Sequence, residues 1–271
     1  MIPKRVTPRS LWLAVAAFLM SSVVACAGAL LTSAKAAGTS SLGLRAVGTT
    51  GTHVTGPDQF AVAGNTTVNI SVARLSGGTT KVVAGPDSSL PRAVQFPSYV
   101  GSGTYPRAVV RLLQRSGDAL SPGSSDFQYG AVFRLNTVSA GRSIDNGNNL
   151  FQRGLYADRA QFKLQIDHGY PSCLVKGSAG RVFVRSSVKV APGTWYRTTC
   201  SRVGSRVTVA VTRHGAATTA SRSVGGSSGT LAFGSSVRAS IGGKLAYSGA
   251  VLSSTDQFNG AVARVWVGPA S

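Results

Sequence analysis

From Gln161 the chain reads QFKLQI, with Phe162, Leu164 and Ile166 on one face and Gln161, Lys163 and Gln165 on the other. That is the two-residue period of a strand with one dry side. The alternation recurs in TVNISVARL at 67–75, QYGAVFRLN at 128–136, RVTVAVT at 206–212 and ARVWVG at 263–268. Between the runs lie SGGTT, SPGSS and DNGNN, whose Gly, Ser, Asn and Pro residues favour turns. These intervals are too short for crossover helices, which predicts antiparallel strands stacked as a two-sheet sandwich. No fixed-period repeat or heptad pattern is present, which argues against solenoids and propellers. In the last run Val265 and Val267 share one face while Trp266 takes the other. Trp195, delivered by a Pro-Gly turn, is expected to seal one end of the sandwich.

One long apolar run departs from this pattern. Leu11 to Leu31 follows Lys4, Arg5 and Arg9 and precedes TSAKAAGTSS, the charged, hydrophobic, cleavable order of an export signal. The expected organisation is a signal peptide over 1–36, a Gly/Thr/Ser-rich leader over 37–60 and one all-β domain over 61–271. Two alternatives to cleavage after Ala36 stay open: lipidation of Cys26 in VVAC, and an uncleaved anchor. All three place residues 38 onward outside the cytoplasm, as a secreted protein or a cell-surface lipoprotein. Contact with a membrane would come only through Cys26 or the anchor.

Charge and cysteine content sharpen the picture. The chain has 28 lysines and arginines against eight acidic residues, a formal net charge of +20. Cleavage would remove four cations and leave +16. Anionic partners are favoured, but the arginines are scattered and name no ligand. The mature chain keeps Cys173 and Cys200, and an even pair in an exported protein reads as a disulfide closing a loop of about 28 residues.

Five stretches together resemble the laminin-G-like branch of the concanavalin-A-like lectin and glucanase superfamily. They are ALSPGSSDFQYGAVFRL from Ala119, NLFQRG from Asn149, QFKLQIDHGYPSCLVKGSAGR from Gln161, APGTWYRTTCSR from Ala191, and IGGK followed by DQFNGAVARVWV. The resemblance is strongest over 93–268 and implies an antiparallel two-sheet jelly roll. One departure is TRHGA, where His214 stands before Gly215 in place of the family's Asp-Gly hairpin. Any ligand role of that aspartate is thereby in doubt.

Enzymatic readings find little support. IDHGYPSC at 166–173 sets Asp167, His168, Tyr170 and Cys173 close together, but a bonded Cys173 leaves no thiol and the histidines are too few for zinc. A turn is the expectation there. The superfamily's hydrolases use paired glutamates, whereas all eight acids here are dispersed aspartates. A polysaccharide lyase built on His168, Tyr170 and Arg181 is a lesser alternative, since it needs no acidic pair. There is no serine nucleophile elbow and no nucleic-acid module.

The resemblance therefore implies a non-catalytic domain binding a polysaccharide or anionic cell-envelope polymer, without a cofactor. Tyr156 and Tyr170 are the candidate stacking residues, and Arg153 and Lys176 the candidate cations. A structural or adhesive scaffold is the alternative. DNGNN, with Asp145, Asn146, Asn148 and Asn149, reads as a polar loop; one carboxylate neutralises calcium poorly, so no metal is expected.

Overall fold

The computed structural model describes residues 40–98, 100, 104–117, 119–139 and 147–270. The expected signal peptide, Cys26, Asp145 and Asn146 lie outside the described residues. Among the described residues there are sixteen strands: β1 Leu42–Ala46, β2 Phe60–Gly64, β3 Thr67–Leu75, β4 Lys81–Ala84, β5 Arg92–Gln95, β6 Arg107–Ser116, β7 Phe127–Leu135 and β8 Asn148–Arg153 come first. They are followed by β9 Gln161–Asp167, β10 Tyr170–Gly177, β11 Gly180–Arg185, β12 Trp195–Val203, β13 Arg206–Arg213, β14 Thr219–Gly225, β15 Ala239–Ile241 and β16 Gly260–Pro269.

The strands form two antiparallel sheets. The first runs β14-β13-β12-β7-β16-β1-β2, with β5 also pairing β16 and β4 pairing β5; the second runs β11-β10-β9-β8-β15-β6-β3. One core fills the space between them. From the second sheet Phe162, Leu164 and Ile166 are fully buried, as their alternation predicts, and Phe162 packs against Tyr129 of the first with ring centroids 5.0 Å apart. Tyr129 crosses that core. Its hydroxyl donates toward the Leu174 carbonyl, 2.9 Å away, and lies 3.2 Å from the Lys163 carbonyl. A phenol buried among apolar neighbours must find such a partner, and burial pushes its pKa upward.

The sheets are also joined covalently: Cys173 of β10 and Cys200 of β12 form a disulfide with Cα atoms 5.6 Å apart. The IDHGYPSC stretch is a hairpin around it. Asp167 pairs Tyr170, leaving His168 and Gly169 as a two-residue turn with φ of 50° and 86°. Positive φ at both positions is the type I′ geometry whose twist matches the flanking strands.

Two expectations are corrected. Of the leader expected over 37–60, the described residues from 40 onward are part of the domain, because Leu42, Leu44 and Ala46 are core residues and β1 sits between β16 and β2. Five alternating residues within Gly/Thr-rich surroundings make a faint local signal, and pairing on both sides is what recruits them. Trp195 does not seal the sandwich. Its neighbour Tyr196 points into the core against Phe133, so Trp195 faces outward and packs with Leu90, Ala93 and Val132 on the outer side of the first sheet.

Candidate functional site

Strand parity sorts the first sheet. Inward residues are Leu42 and Leu44 of β1, Tyr129, Ala131 and Phe133 of β7, Cys200 of β12, and Val265 and Val267 of β16. The residues between them lie on the outer side of the sheet, Val132 buried there in the cluster that includes Trp195 and Trp266. A β-bulge between Val262 and Arg264 is decisive on β16. Val262 belongs to the core and Ala263 to the outer cluster; the extra residue brings Arg264 outward as well, where strict alternation from Val262 would have turned it inward.

Cross-strand register then lines up two rows. Arg197 opposes Val132, Val132 opposes Arg264, Arg264 opposes Arg45, and Arg45 opposes Ala61. With neighbouring strands about 4.8 Å apart, Arg45 and Arg264 are adjacent and Arg197 lies about 10 Å beyond. The parallel row is Thr199, Gly130, Trp266, Gly43 and Ala63. Trp266 thus has glycine on both neighbouring strands. A Cβ at Gly130 would overlap its ring, so the indole lies down over a floor that glycine leaves clear.

The arginines gather on that indole. Arg197 Cζ is 4.9 Å and Arg264 Cζ 5.8 Å from the ring centroid, within cation–π range. Among the described residues no ion pair or hydrogen-bond acceptor engages the guanidinium of Arg45, Arg197 or Arg264; the three ion pairs there join Asp167 to His168, Asp87 to His214 and Asp256 to Lys244. Partial burial, followed by the like charges of Arg197 and Arg45, lowers the Arg264 pKa. An arriving anion would relieve that repulsion.

A cleft of about 580 Å³ opens over this surface, lined by the three arginines, Trp266, Val132, Ser89, Leu90, His214 and β2. Its volume is that of a small-ligand site. The Ser89 side of the cleft is pinned by Asp87. One carboxylate oxygen accepts from Ser89 N at 2.8 Å, Ser89 Oγ at 2.7 Å and Leu90 N at 3.0 Å, and the other lies 2.6 Å from His214 Nε2. The histidine that replaces the expected turn aspartate therefore recruits an aspartate from another loop.

Those bonds, His214 first and Ser89 and Leu90 after it, hold the Asp87 carboxyl well below the usual carboxylate range. A depressed folded-state pKa contributes stability that is present above the unfolded value of about 3.9 and is lost as pH falls through the folded one. A carbon-13 titration of the Asp87 carboxyl should accordingly show a midpoint below about 3.9, moving back toward that value in His214→Ala. A wild-type midpoint at or above it would remove the Asp87–His214 tie from the site.

The four residues expected from sequence are not assembled in one place. Tyr156 and Lys176 do meet, the ammonium 5.7 Å from the ring centroid, on the outer face of the second sheet. Tyr170 lies six residues along β10 from Lys176, about 20 Å away, under the Arg185 guanidinium. Arg153 is corrected. It is only 5 % exposed, pairs with inward-facing Phe162, and donates to the Val237 and Leu120 carbonyls at 3.0 and 2.8 Å. Burial brings its pKa down to about 10. It is a strut inside the fold, unavailable to a ligand. His168, Tyr170 and Arg181 of the lyase alternative are likewise separated along β10, since Arg181 opposes Lys176. Asn148 and Asn149 are buried; Asn148 Oδ1 accepts from Asn259 N at 2.8 Å, and Asn149 donates to Gln152 at 3.0 Å. Among the described residues no three His, Cys, Asp or Glu side chains group as metal ligands.

No family model matches the chain, and no curated protein does. Among solved structures, the binding domain of Paraclostridial Mosquitocidal Protein 1 aligns with 86% of this chain and 49% of its own length, at 13% identity and a TM-score of 0.50. The present chain thus spans about half of that domain. Mouse laminin α1 domains LG4-5 align over 84% of this chain and 80% of theirs, at 15% identity and a TM-score of 0.38. The enzymatically active domain of bacteriophage CBA120 tailspike protein 2 aligns over 74% and 28%, at 14% identity and a TM-score of 0.48. What the first of these shares with the present chain is its fold, here an antiparallel two-sheet β-sandwich. At such identities the likeness is one of fold, and the site must be read from its own residues.

Proposed function

We propose that this chain is an extracellular, non-catalytic binding module for an acidic carbohydrate polymer. The observation that carries the reading is the row of Arg197, Arg264 and Arg45 beside Trp266 in one cleft, with no acceptor for their guanidinium donors among the described residues. Arginine forks match carboxylate and sulfate geometry, and the surrounding positive field draws such a polymer in.

Calorimetric titration with polygalacturonate and with a neutral glucan tests this. The acidic polymer should bind and the neutral one should not, with affinity falling steeply between about 0.01 and 0.15 M salt. Each charged hydrogen-bonding group contributes about 1.5–3 kcal/mol, so Arg197→Ala with Arg264→Ala should weaken binding by more than about 100-fold. Unchanged affinity in that double variant would overturn the assignment of the site. Failure of every acidic and neutral polymer to bind would favour the scaffold reading.

A further inference from the structure

We propose that the domain carries a second anion-binding face on the opposite side of the sandwich, so that one molecule bridges two acidic polymer chains. This rests on the function proposed above. The second face is built by the same parity argument. On β10 Cys173 and Val175 are core residues, and on β11 Val182 and Val184 are. Lys176 and Arg181 therefore point outward, and register sets them directly opposite each other. Two cations on adjacent strands repel unless something between them absorbs the field.

Tyr156 fills that place. From the connection after β8 its ring lies 5.7 Å from Lys176 Nζ and 5.9 Å from Arg181 Cζ, and Lys176 Nζ also donates to the Tyr156 carbonyl at 2.8 Å. The tyrosine is nonetheless 75 % exposed, the largest value among the exposed large hydrophobic side chains. An exposed aromatic ring, fixed at its backbone and rimmed by two cations, offers a flat apolar surface to a sugar and charge to its acidic group. Half-buried Lys163 stands one strand further in, and its amine is lowered first by burial and in part by Arg181.

Nearby acids are otherwise engaged. Asp256 pairs with Lys244 at 2.9 Å, Asp158 accepts from Leu155 N at 2.7 Å and from the Tyr247 hydroxyl, and Asp167 sits at the far end of β9 beside His168. Lys176 and Arg181 are left without a carboxylate partner among the described residues.

The disulfide sets the two faces back to back. Lys176 follows Cys173 by three residues on β10, and Arg197 precedes Cys200 by three on β12. With both cysteines pointing inward, those odd separations direct the two cations to opposite solvents. The backbones between them are about 10 Å apart before the side chains are added. A stiff polymer lying on one face therefore leaves the other free for a second chain.

Two measurements on the full chain test the proposal, using an oligogalacturonate fragment and, as the sulfated counterpart, a dextran sulfate fragment. With either fragment, titration should give two sites per protein. Tyr156→Ala with Lys176→Ala and Arg181→Ala should leave one, and Arg197→Ala with Arg264→Ala should leave the other. With the high-molecular-weight polymer, light scattering should rise to a maximum at intermediate protein ratios and fall at excess protein, and each single-face variant should abolish the rise while still binding. Melting curves of the variants confirm that the fold is retained. One site, lost in the first-sheet variant and untouched by the second-sheet variant, would overturn the bridging proposal and leave the proposed function standing. Two sites without scattering would mean that one polymer wraps both faces, which also overturns bridging. No binding of either fragment would remove the function and this inference together.

Discussion

Replacing Cys173 and Cys200 together by serine is expected to lower the unfolding free energy by about 3.5 kcal/mol, the chain-entropy value for a loop of this length. The two cysteines are 27 residues apart and belong to different sheets. Their bridge removes from the unfolded chain those conformations in which the hairpin β9–β10 has separated from β12. Both sulfurs lie in the centre of the core, so serine also places two hydroxyls among apolar neighbours, which adds to the loss. For a domain of this size the melting temperature should fall by about 10 °C. Alkylation of the unreduced, denatured protein should label neither cysteine. A double-serine variant melting with the wild type would show that Tyr129 and the apolar core alone hold the sheets together.

That the chain is a sandwich was legible because the inward strands are locally explicit. QFKLQI and RVTVAVT each state their face without reference to a partner, and both are strands with those faces. A turn within DHGYPS was also open to reading, since Gly169 stands between two apolar runs, but its two-residue type I′ form, with Asp167 still in β9 and His168 at positive φ, was not. The proposed binding surface was much less visible. Arg45, Val132, Arg197 and Arg264 come from four strands spread over most of the chain, and only the pairing order makes them one row. Local alternation predicts which way a side chain points but not which residues stand beside it.

Bulges hid the rest. On β8 Leu150 and Phe151 are adjacent and both fully buried, because the register slips between Asn149 and Phe151. Either parity could be read from LFQR, and the one that exposes Arg153 is not the one adopted. On β16 the opposite happens: alternation already sets Trp266 apart from Val265 and Val267, but nothing local says that Gly130 and Gly43 flank it or that arginines converge there. A glycine opposite a tryptophan acquires meaning only when the strands are paired.

That pairing leads to the other large effect, expected at Gly130. A Cβ at this position would overlap both the Trp266 ring and the Thr198 carbonyl oxygen of the neighbouring strand, so Gly130→Ala must lift the indole or part β7 from β12. Overpacking of this kind costs about 1–3 kcal/mol of stability. Binding should suffer further, because Arg197 and Arg264 lose the ring that holds them near one another; at about 1 kcal/mol for each cation–π contact, the affinity for an acidic polymer should fall by roughly 30-fold. Trp266→Ala should reproduce the binding loss while leaving the β7–β12 pairing intact, and Trp266→Phe should recover part of it. The three guanidinium charges remain in all these variants, so the salt dependence of binding should keep its wild-type slope although the affinity drops. A flattened slope would mean that the charges themselves had left the site. Wild-type affinity in Trp266→Ala would show that the arginines hold their places without the indole, and the role assigned to the glycine floor would go with it.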